Sequence, residues 1–401
     1  MTTTTPSFRE FDVDDAVIEA LAQRGAVAPF PIQAEVLPDA TAGYDVLAKS
    51  QTGSGKTLGF AIPIVQRLTP DSPTPSALVL VPTRELAVQV AEEFEGIAGA
   101  RGLQVALAYG GTRVNDQGKR AGSSQIVIAT PGRLLDLAER RFIKLDSIST
   151  LVLDEADRML DMGFQPQVDR IVRQLPKRRQ TMFFSATLDG AVGRMASAYT
   201  RDARLHEIEA PKQTVEAADH RFIPVGTHDK VDALLEVLSG DDRKLALVFV
   251  RTKRGADRLV GKLKAKGLKV AALHGDLSQP VRERTLQQFE AGKIDVLIAT
   301  DVAARGLDLD DISHVINFDP PEDDKGYVHR VGRTARAGRS GSGITLVTPE
   351  QQGDVSRVAA RLDLHSEFEE EGMKVAPPRV VFSGSTRGRR SGLRKPTRRK
   401  F

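Results

Sequence analysis

Asp45-Val46-Leu47-Ala48-Lys49-Ser50-Gln51-Thr52-Gly53-Ser54-Gly55-Lys56-Thr57 passes from a short apolar stretch into a glycine-rich turn that ends in Gly-Lys-Thr. A strand followed by such a turn and a helix lets backbone N–H groups from Ser50 to Gly55 converge on phosphates at the helix N-terminus. In that reading Lys56 meets the β- and γ-phosphates and Thr57 holds Mg²⁺; Ser50 stands where glycine is usual. Downstream, Asp154-Glu155-Ala156-Asp157 closes the β-branched run from Ser149 to Leu153. That puts Asp154 at the C-terminal end of a buried parallel strand, where α/β folds bind ligands. Asp154 fits an outer Mg²⁺ ligand and Glu155 a group that polarises attacking water. Either element alone is a commonplace loop or helix start; the two in this order point to nucleotide hydrolysis.

At 401 residues the chain is too long for one ordinary domain and predicts two, with a cleft between two cores. Its 40% apolar and 27% charged residues are those of a soluble globular protein, and apolar runs such as Ala77 to Val81 are far short of a membrane span. The start, Met1-Thr2-Thr3-Thr4-Thr5-Pro6, lacks the basic and apolar regions of a signal peptide, so a cytoplasmic location is expected. Zero cysteines exclude disulfides, thiol catalysis and cysteine-based zinc sites. Charge is asymmetric. Residues 377–401 hold nine basic residues and no acid; removing those nine from the 57 leaves 48 basic against 53 acidic residues. This Pro-, Gly-, Ser- and Arg-rich tail is expected to be disordered and to hold polyanions by counterion release.

From Tyr44 to about Glu209, short β-branched runs alternate with helix-compatible stretches: Val46 to Ala48, Ala77 to Val81, Gln104 to Ala108, Ile126 to Ala129, Leu151 to Leu153 and Thr181 to Phe184. A second series runs Arg221 to Pro224, Leu245 to Val250, Val270 to Leu273, Val296 to Ile298, Val315 to Asn317 and Ile344 to Val347. The alternation predicts an α/β fold in two tandem units, each a mostly parallel sheet with helices on both faces. The polar segment Ala210-Pro211-Lys212-Gln213-Thr214 reads as the linker. The second half has no Gly-Lys-Thr loop. It carries Thr300-Asp301-Val302-Ala303-Ala304-Arg305-Gly306-Leu307-Asp308 and His329-Arg330-Val331-Gly332-Arg333-Thr334-Ala335-Arg336. Arginines every three residues would share a broad helix face and, beside a phosphate-loop domain, suggest fingers delivered across the cleft to the γ-phosphate.

With these segments in place, the chain resembles the DEAD-box family of RNA helicases over about residues 7–350. The match includes Pro29-Phe30-Pro31-Ile32-Gln33, Pro82-Thr83-Arg84-Glu85-Leu86-Ala87, Gly110-Gly111, Thr130-Pro131-Gly132-Arg133, Ser185-Ala186-Thr187, Val248-Phe249-Val250 and His274-Gly275 with Gln279 and Arg282. The finer reading is a bacterial, RhlE-like branch. The resemblance implies two RecA-like domains, 1–211 with the Q motif and 212–375, and a basic RNA-binding tail, 376–401. ATP and Mg²⁺ are the implied cofactors, RNA the implied partner, with ribosome-assembly or RNA-decay proteins as protein partners. Gln33 would read adenine and Phe8 would stack on it. Lys56, Thr57, Asp154 and Glu155 carry over as phosphate, metal and water-activating groups; Arg333 and Arg336 as fingers; Asp308 as the ribose contact; His329 as a link between water, Glu155 and RNA. Arg84, Gly111, Thr130, Arg133, Arg251, Gly275, Gln279, Arg282 and Thr300 would grip the RNA sugar-phosphate backbone, while Ser185, Thr187 and Asp157 couple the two sites. Phe30, Ala26 and Ala335 depart from the family pattern, standing for a usual threonine, aromatic and glycine.

The mechanism this implies is joint closure by ATP and RNA on a single bent strand, with hydrolysis resetting the enzyme. Two alternatives stay open: a DNA helicase or translocase of the same superfamily, and an ATP-gated RNA clamp with little unwinding. An unrelated phosphate-loop kinase or transporter ATPase would leave the second half's motifs unexplained.

Overall fold

The computed structural model describes residues 6–50, 55–208, 218–240, 243–304, 312–334 and 341–374. Its two parallel sheets arise from the two series of apolar runs. The first contains β1 (Val46–Lys49), β2 (Ala77–Leu80), β3 (Val105–Ala108), β4 (Ile126–Ala129), β5 (Thr150–Leu153), β6 (Gln180–Ser185) and β7 (Arg204–Glu207), in the order β3-β4-β2-β5-β6-β1-β7. The second contains β8 (Ala218–Pro224), β9 (Leu245–Phe249), β10 (Val270–Leu273), β11 (Val296–Ala299), β12 (Ile312–Asn317) and β13 (Gly341–Val347), in the order β10-β11-β9-β12-β13-β8. Every pairing is parallel. Central strands such as β2, β4 and β5 are buried along their whole length, as strands covered on both faces require.

Each sheet has one core on either face: around Phe60, Phe94 and Phe184 and around Leu134, Met159 and Phe183 in the first unit, around Phe222, Phe289 and Phe368 and around Leu234, Leu259 and Ile298 in the second. Parallel strands connected by helices carry their loops to one edge, so Ser50, Asp154 and Ser185 meet at the C-terminal ends of the neighbouring strands β1, β5 and β6. Among the described residues no helix is long and apolar enough to cross a membrane.

β7 was not expected. Three of its four residues are exposed, so it has no apolar signature; backbone pairing with β1 holds it, register Val46 to Arg204. The helix expected to present Arg330, Arg333 and Arg336 together spans Asp324–Val331 and ends before Arg333. Gln51, Thr52, Gly53, Ser54, Asp308 and Arg336, the linker and the tail from residue 376 lie outside the described residues.

Candidate nucleotide and nucleic-acid site

The helix Lys56–Arg67 begins after Gly55, whose φ of +76° suits a residue without Cβ. Sterics add a second reason: a Cβ there would lie 2.5 Å from Phe30 Cδ2 and 2.9 Å from Gln33 Nε2. Lys56 is buried and its Nζ donates to the Ser50 carbonyl at 3.0 Å, which holds the ammonium at the mouth of the loop. Thr57, half-buried, follows it.

Asp154 is 3% exposed. Burial pushes its pKa up to about 6, against the pull of Lys56, with Glu155 adding to the rise and the Glu155 N–H, donating to Oδ1 at 3.0 Å, opposing it. The sign of the linked stability follows. Between the ordinary carboxylate value of 3.8 and about 6 the folded chain keeps a proton that the unfolded chain releases, so folding stability falls as pH rises through that window and levels off above it. Asp154→Asn should therefore melt higher than the parent at pH 7 without nucleotide, and the gap should close toward pH 4. A gap independent of pH would show that the carboxyl ionises freely.

Glu155 adopts left-handed backbone, φ +53° and ψ +49°, and starts the helix Ala156–Asp161. Its Oε2 accepts from Arg158 at 2.5 Å, with both side chains almost fully buried. Ser185 ties the loops together. Its carbonyl accepts the Ser50 N–H at 3.0 Å, and its hydroxyl accepts the N–H of Asp157 at 3.3 Å and of Thr187 at 3.4 Å. Three sequence-distant turns thus share one fully buried serine.

Gln33 is 1% exposed; Oε1 accepts the Phe30 N–H at 2.9 Å and Nε2 donates to the Gly55 carbonyl at 2.6 Å. Each amide atom keeps one further hydrogen-bonding position. Phe8 corrects the sequence expectation. It is 1% exposed, turned into the first core by a short helix, Phe8–Phe11, capped by Ser7, and presents no free ring face to a base. The exposed aromatic beside the loop is Phe30, at 58%, whose ring lies over Gly55. Its signal was available as an aromatic where a threonine is usual.

The two units border a cleft of about 500 Å³, lined by Arg84, Gly110, Thr130 and Arg133 on one side and Gly275, Leu277 and Arg282 on the other. Gly111 (φ +93°) lets the loop lie against the Arg84 guanidinium: a Cβ there would meet Nη1 at 2.5 Å. Arg133 Nη1 donates to Gln117 Oε1 at 2.5 Å and Nη2 to the Thr112 carbonyl at 3.3 Å, fixing the same loop from the other side. Thr130 occupies the N-cap position of the helix Pro131–Glu139 without a side-chain capping bond; Thr300 is buried at the end of β11; Arg251 is exposed after β9, its N–H donating to Asp319 at 2.9 Å.

Arg282 departs from its expected role as a phosphate contact. Its Nη2 and Nε lie 2.7 and 2.8 Å from Glu85 Oε1 of the first unit, both side chains are 9% exposed, and Nη1 donates to the His274 carbonyl at 3.2 Å. A guanidinium so engaged is held by protein. Beside it Arg84 Nη1 donates to Gln279 Oε1 at 3.5 Å, while Gln279 Nε2 donates to Glu283. Glu85 was missed because its partner lies 197 residues away, a separation that no spacing reveals. Arg330 also belongs to the fold, pairing Asp301 at 2.6 Å and Asn317 at 3.0 Å. Arg333 is buried just past the helix, its Nε donating to the His329 carbonyl at 3.3 Å.

Residues 30–195 match the DEAD/DEAH box helicase family and residues 229–338 the helicase conserved C-terminal domain. The chain is 40% identical over 349 residues to the DEAD-box ATP-dependent RNA helicase CshA of Bacillus subtilis, covering 87% of this chain and 71% of that protein. It belongs to the DEAD-box ATP-dependent RNA helicases. The ATP-dependent RNA helicase CshA of Listeria monocytogenes is 41% identical, covering 86% of this helicase and 67% of that one. Among solved structures, S. cerevisiae Dbp5 bound to RNA and ADP BeF3 superposes with a TM-score of 0.80 at 32% identity, covering 89% of this helicase and 94% of that chain. Two tandem RecA-like domains are therefore the architecture of this helicase.

Proposed function

We propose that this helicase separates short RNA duplexes by closing its two units on one strand when ATP binds, and releases that strand after hydrolysis. The observation that carries the reading is the cleft lined by both units, with Arg84, Thr130 and Arg133 facing Gly275 across it. Small residues allow a sugar-phosphate backbone to approach and arginines supply charge-assisted bonds, so affinity with little base readout follows. Thr300, Arg251 and Gln279 extend that surface on the second unit.

At the nucleotide, Lys56 leaves the Ser50 carbonyl for the β- and γ-phosphates, and Glu155 accepts the proton of the attacking water. Arg333, with Arg336, offsets the charge that develops on the transferred phosphoryl group; such fingers contribute about 10³ to 10⁵ in rate. His329 stands next in line between that water and the RNA groove, and Ser185, Thr187 and Asp157 carry the coupling. Gln33 reads adenine with its remaining donor and acceptor, and Asp308 reaches the ribose. A magnesium ion fits the donor set, because Asp154 is a buried carboxylate whose charge the fold disfavours and Thr57 offers a second oxygen; Mg²⁺ takes one or two protein oxygens beside phosphates. Bound there, it neutralises phosphate charge.

We place the domain boundary at residue 212, between β7 and β8, and treat 376–401 as an RNA-binding tail. The RhlE-like branch rests on the sequence alone, since the relatives named above are called CshA. A cytoplasmic setting and ribosome-assembly or RNA-decay proteins as partners belong to the same proposal.

Steady-state ATP hydrolysis tests it. Single-stranded RNA should stimulate turnover strongly and DNA of the same sequence weakly, because the 2′-OH separates them. Equal stimulation by DNA would favour a translocase; ATP-dependent RNA retention without release of a short duplex would favour a clamp.

A further inference from the structure

The helix Lys253–Ala265 carries a charge pattern unlike its neighbours. Between Lys253 and Lys269 there are seven basic residues and one acid, Asp257, and that acid is engaged with His274 Nε2 at 2.9 Å. Ala256, Leu259 and Leu263 bury one face. Outside that face Arg254, Arg258 and Lys262 follow at intervals of four residues, winding about 40° around the helix at each step, and Lys266 continues the row at the helix's C-terminal cap. All four are exposed, and none has a carboxylate within ion-pair distance among the described residues. The surface helix Gln352–Arg361 differs in kind: its Arg357 and Arg361 pair with Asp354 and Asp324. Like charges four residues apart on a helix repel, at a few tenths of a kcal/mol per pair. This row therefore costs stability, and a polyanion would offset that cost.

Position supplies the second argument. The helix starts at the C-terminal end of β9, on the edge of the sheet that borders the cleft, and a Cβ on Gly275 would lie 3.6 Å from the Lys253 Nζ. Thirteen residues at about 1.5 Å each carry the row some 20 Å away from that edge. The geometry points to a second nucleic-acid track: Arg254, Arg258, Lys262 and Lys266 hold the sugar-phosphate backbone of RNA that has already left the cleft. The inference rests on the RNA reading above. It adds a binding surface for flanking RNA, independent of base sequence and of the nucleotide site.

The test uses the full-length chain, oligouridylates of increasing length, and the variant Arg254→Gln/Arg258→Gln/Lys262→Gln/Lys266→Gln. Affinity and ATPase stimulation for oligomers just filling the cleft should match the parent. The affinity gained with length should be largely lost, and the salt slope for long oligomers should fall by about 0.7 per cation removed, to a total near 3. A charge-preserving variant, Arg254→Lys/Arg258→Lys, should keep the parental slope. Unchanged length dependence and slope in the glutamine variant would overturn the track and leave the row to an acidic protein surface. Absence of RNA binding by the parent at every length would instead overturn the RNA reading itself.

Discussion

Glu155→Gln should lower RNA-stimulated ATP hydrolysis by about 10²- to 10⁴-fold, the usual contribution of a positioned general base, while ATP and RNA still bind together. Glutamine gives up the charge but preserves the length of the side chain and an oxygen for the Arg158 guanidinium, 2.5 Å away, so melting should fall by less than with alanine. Alanine is the poorer probe. It takes the carboxylate away from a guanidinium that is 3% exposed, and breaking a buried ion pair costs about 3–5 kcal/mol in stability. Near-parental turnover of the glutamine protein at saturating RNA would remove Glu155 from the chemistry.

The second large effect concerns Glu85 and Arg282. Removing one partner of a buried, hydrogen-bonded charge pair costs about 2–5 kcal/mol. Because this pair joins the two units, the loss falls on the closed arrangement and leaves each core intact. Arg282→Glu or Glu85→Arg alone should weaken ATP-analogue-dependent RNA binding by at least about 30-fold, 2 kcal/mol being about 1.4 decades. The exchange Glu85→Arg/Arg282→Glu should recover much of that loss. Were Arg282 a phosphate contact, as its motif first implies, the exchange would rescue nothing and the salt slope of binding would drop by about one.

Much of this molecule is written locally. Among the described residues twelve of thirteen strands were legible, at least in part, as short apolar or β-branched runs bounded by turns, whereas β7, Arg-Leu-His-Glu at an edge, owes its conformation to the backbone of β1. The ends of β8 and β13 escaped for a related reason: Ala218 to His220 pair with Gly341 to Gly343, polar and glycine positions that only the register makes strand. In the site, the positions of Lys56 and Asp154 past the ends of β1 and β5 follow from the apolar runs that precede them, and their phosphate and metal roles remain part of the proposal. Phe8 was misjudged because an aromatic near a ligand and an aromatic in a core look alike in sequence; the capped turn at Ser7 separates them. Arg282 was misjudged because an arginine's partner is a matter of tertiary distance.

The left-handed backbone at Glu155 has a consequence for anyone who would vary this enzyme. A non-glycine residue held there carries about 1–3 kcal/mol of strain, least for asparagine or aspartate and most for β-branched side chains. In a saturation library at this position, valine, isoleucine and threonine variants should be lost at expression, before their activity is ever read. The survivors will be sorted by backbone tolerance as much as by chemistry, and an activity screen that omits soluble yield will mistake one for the other.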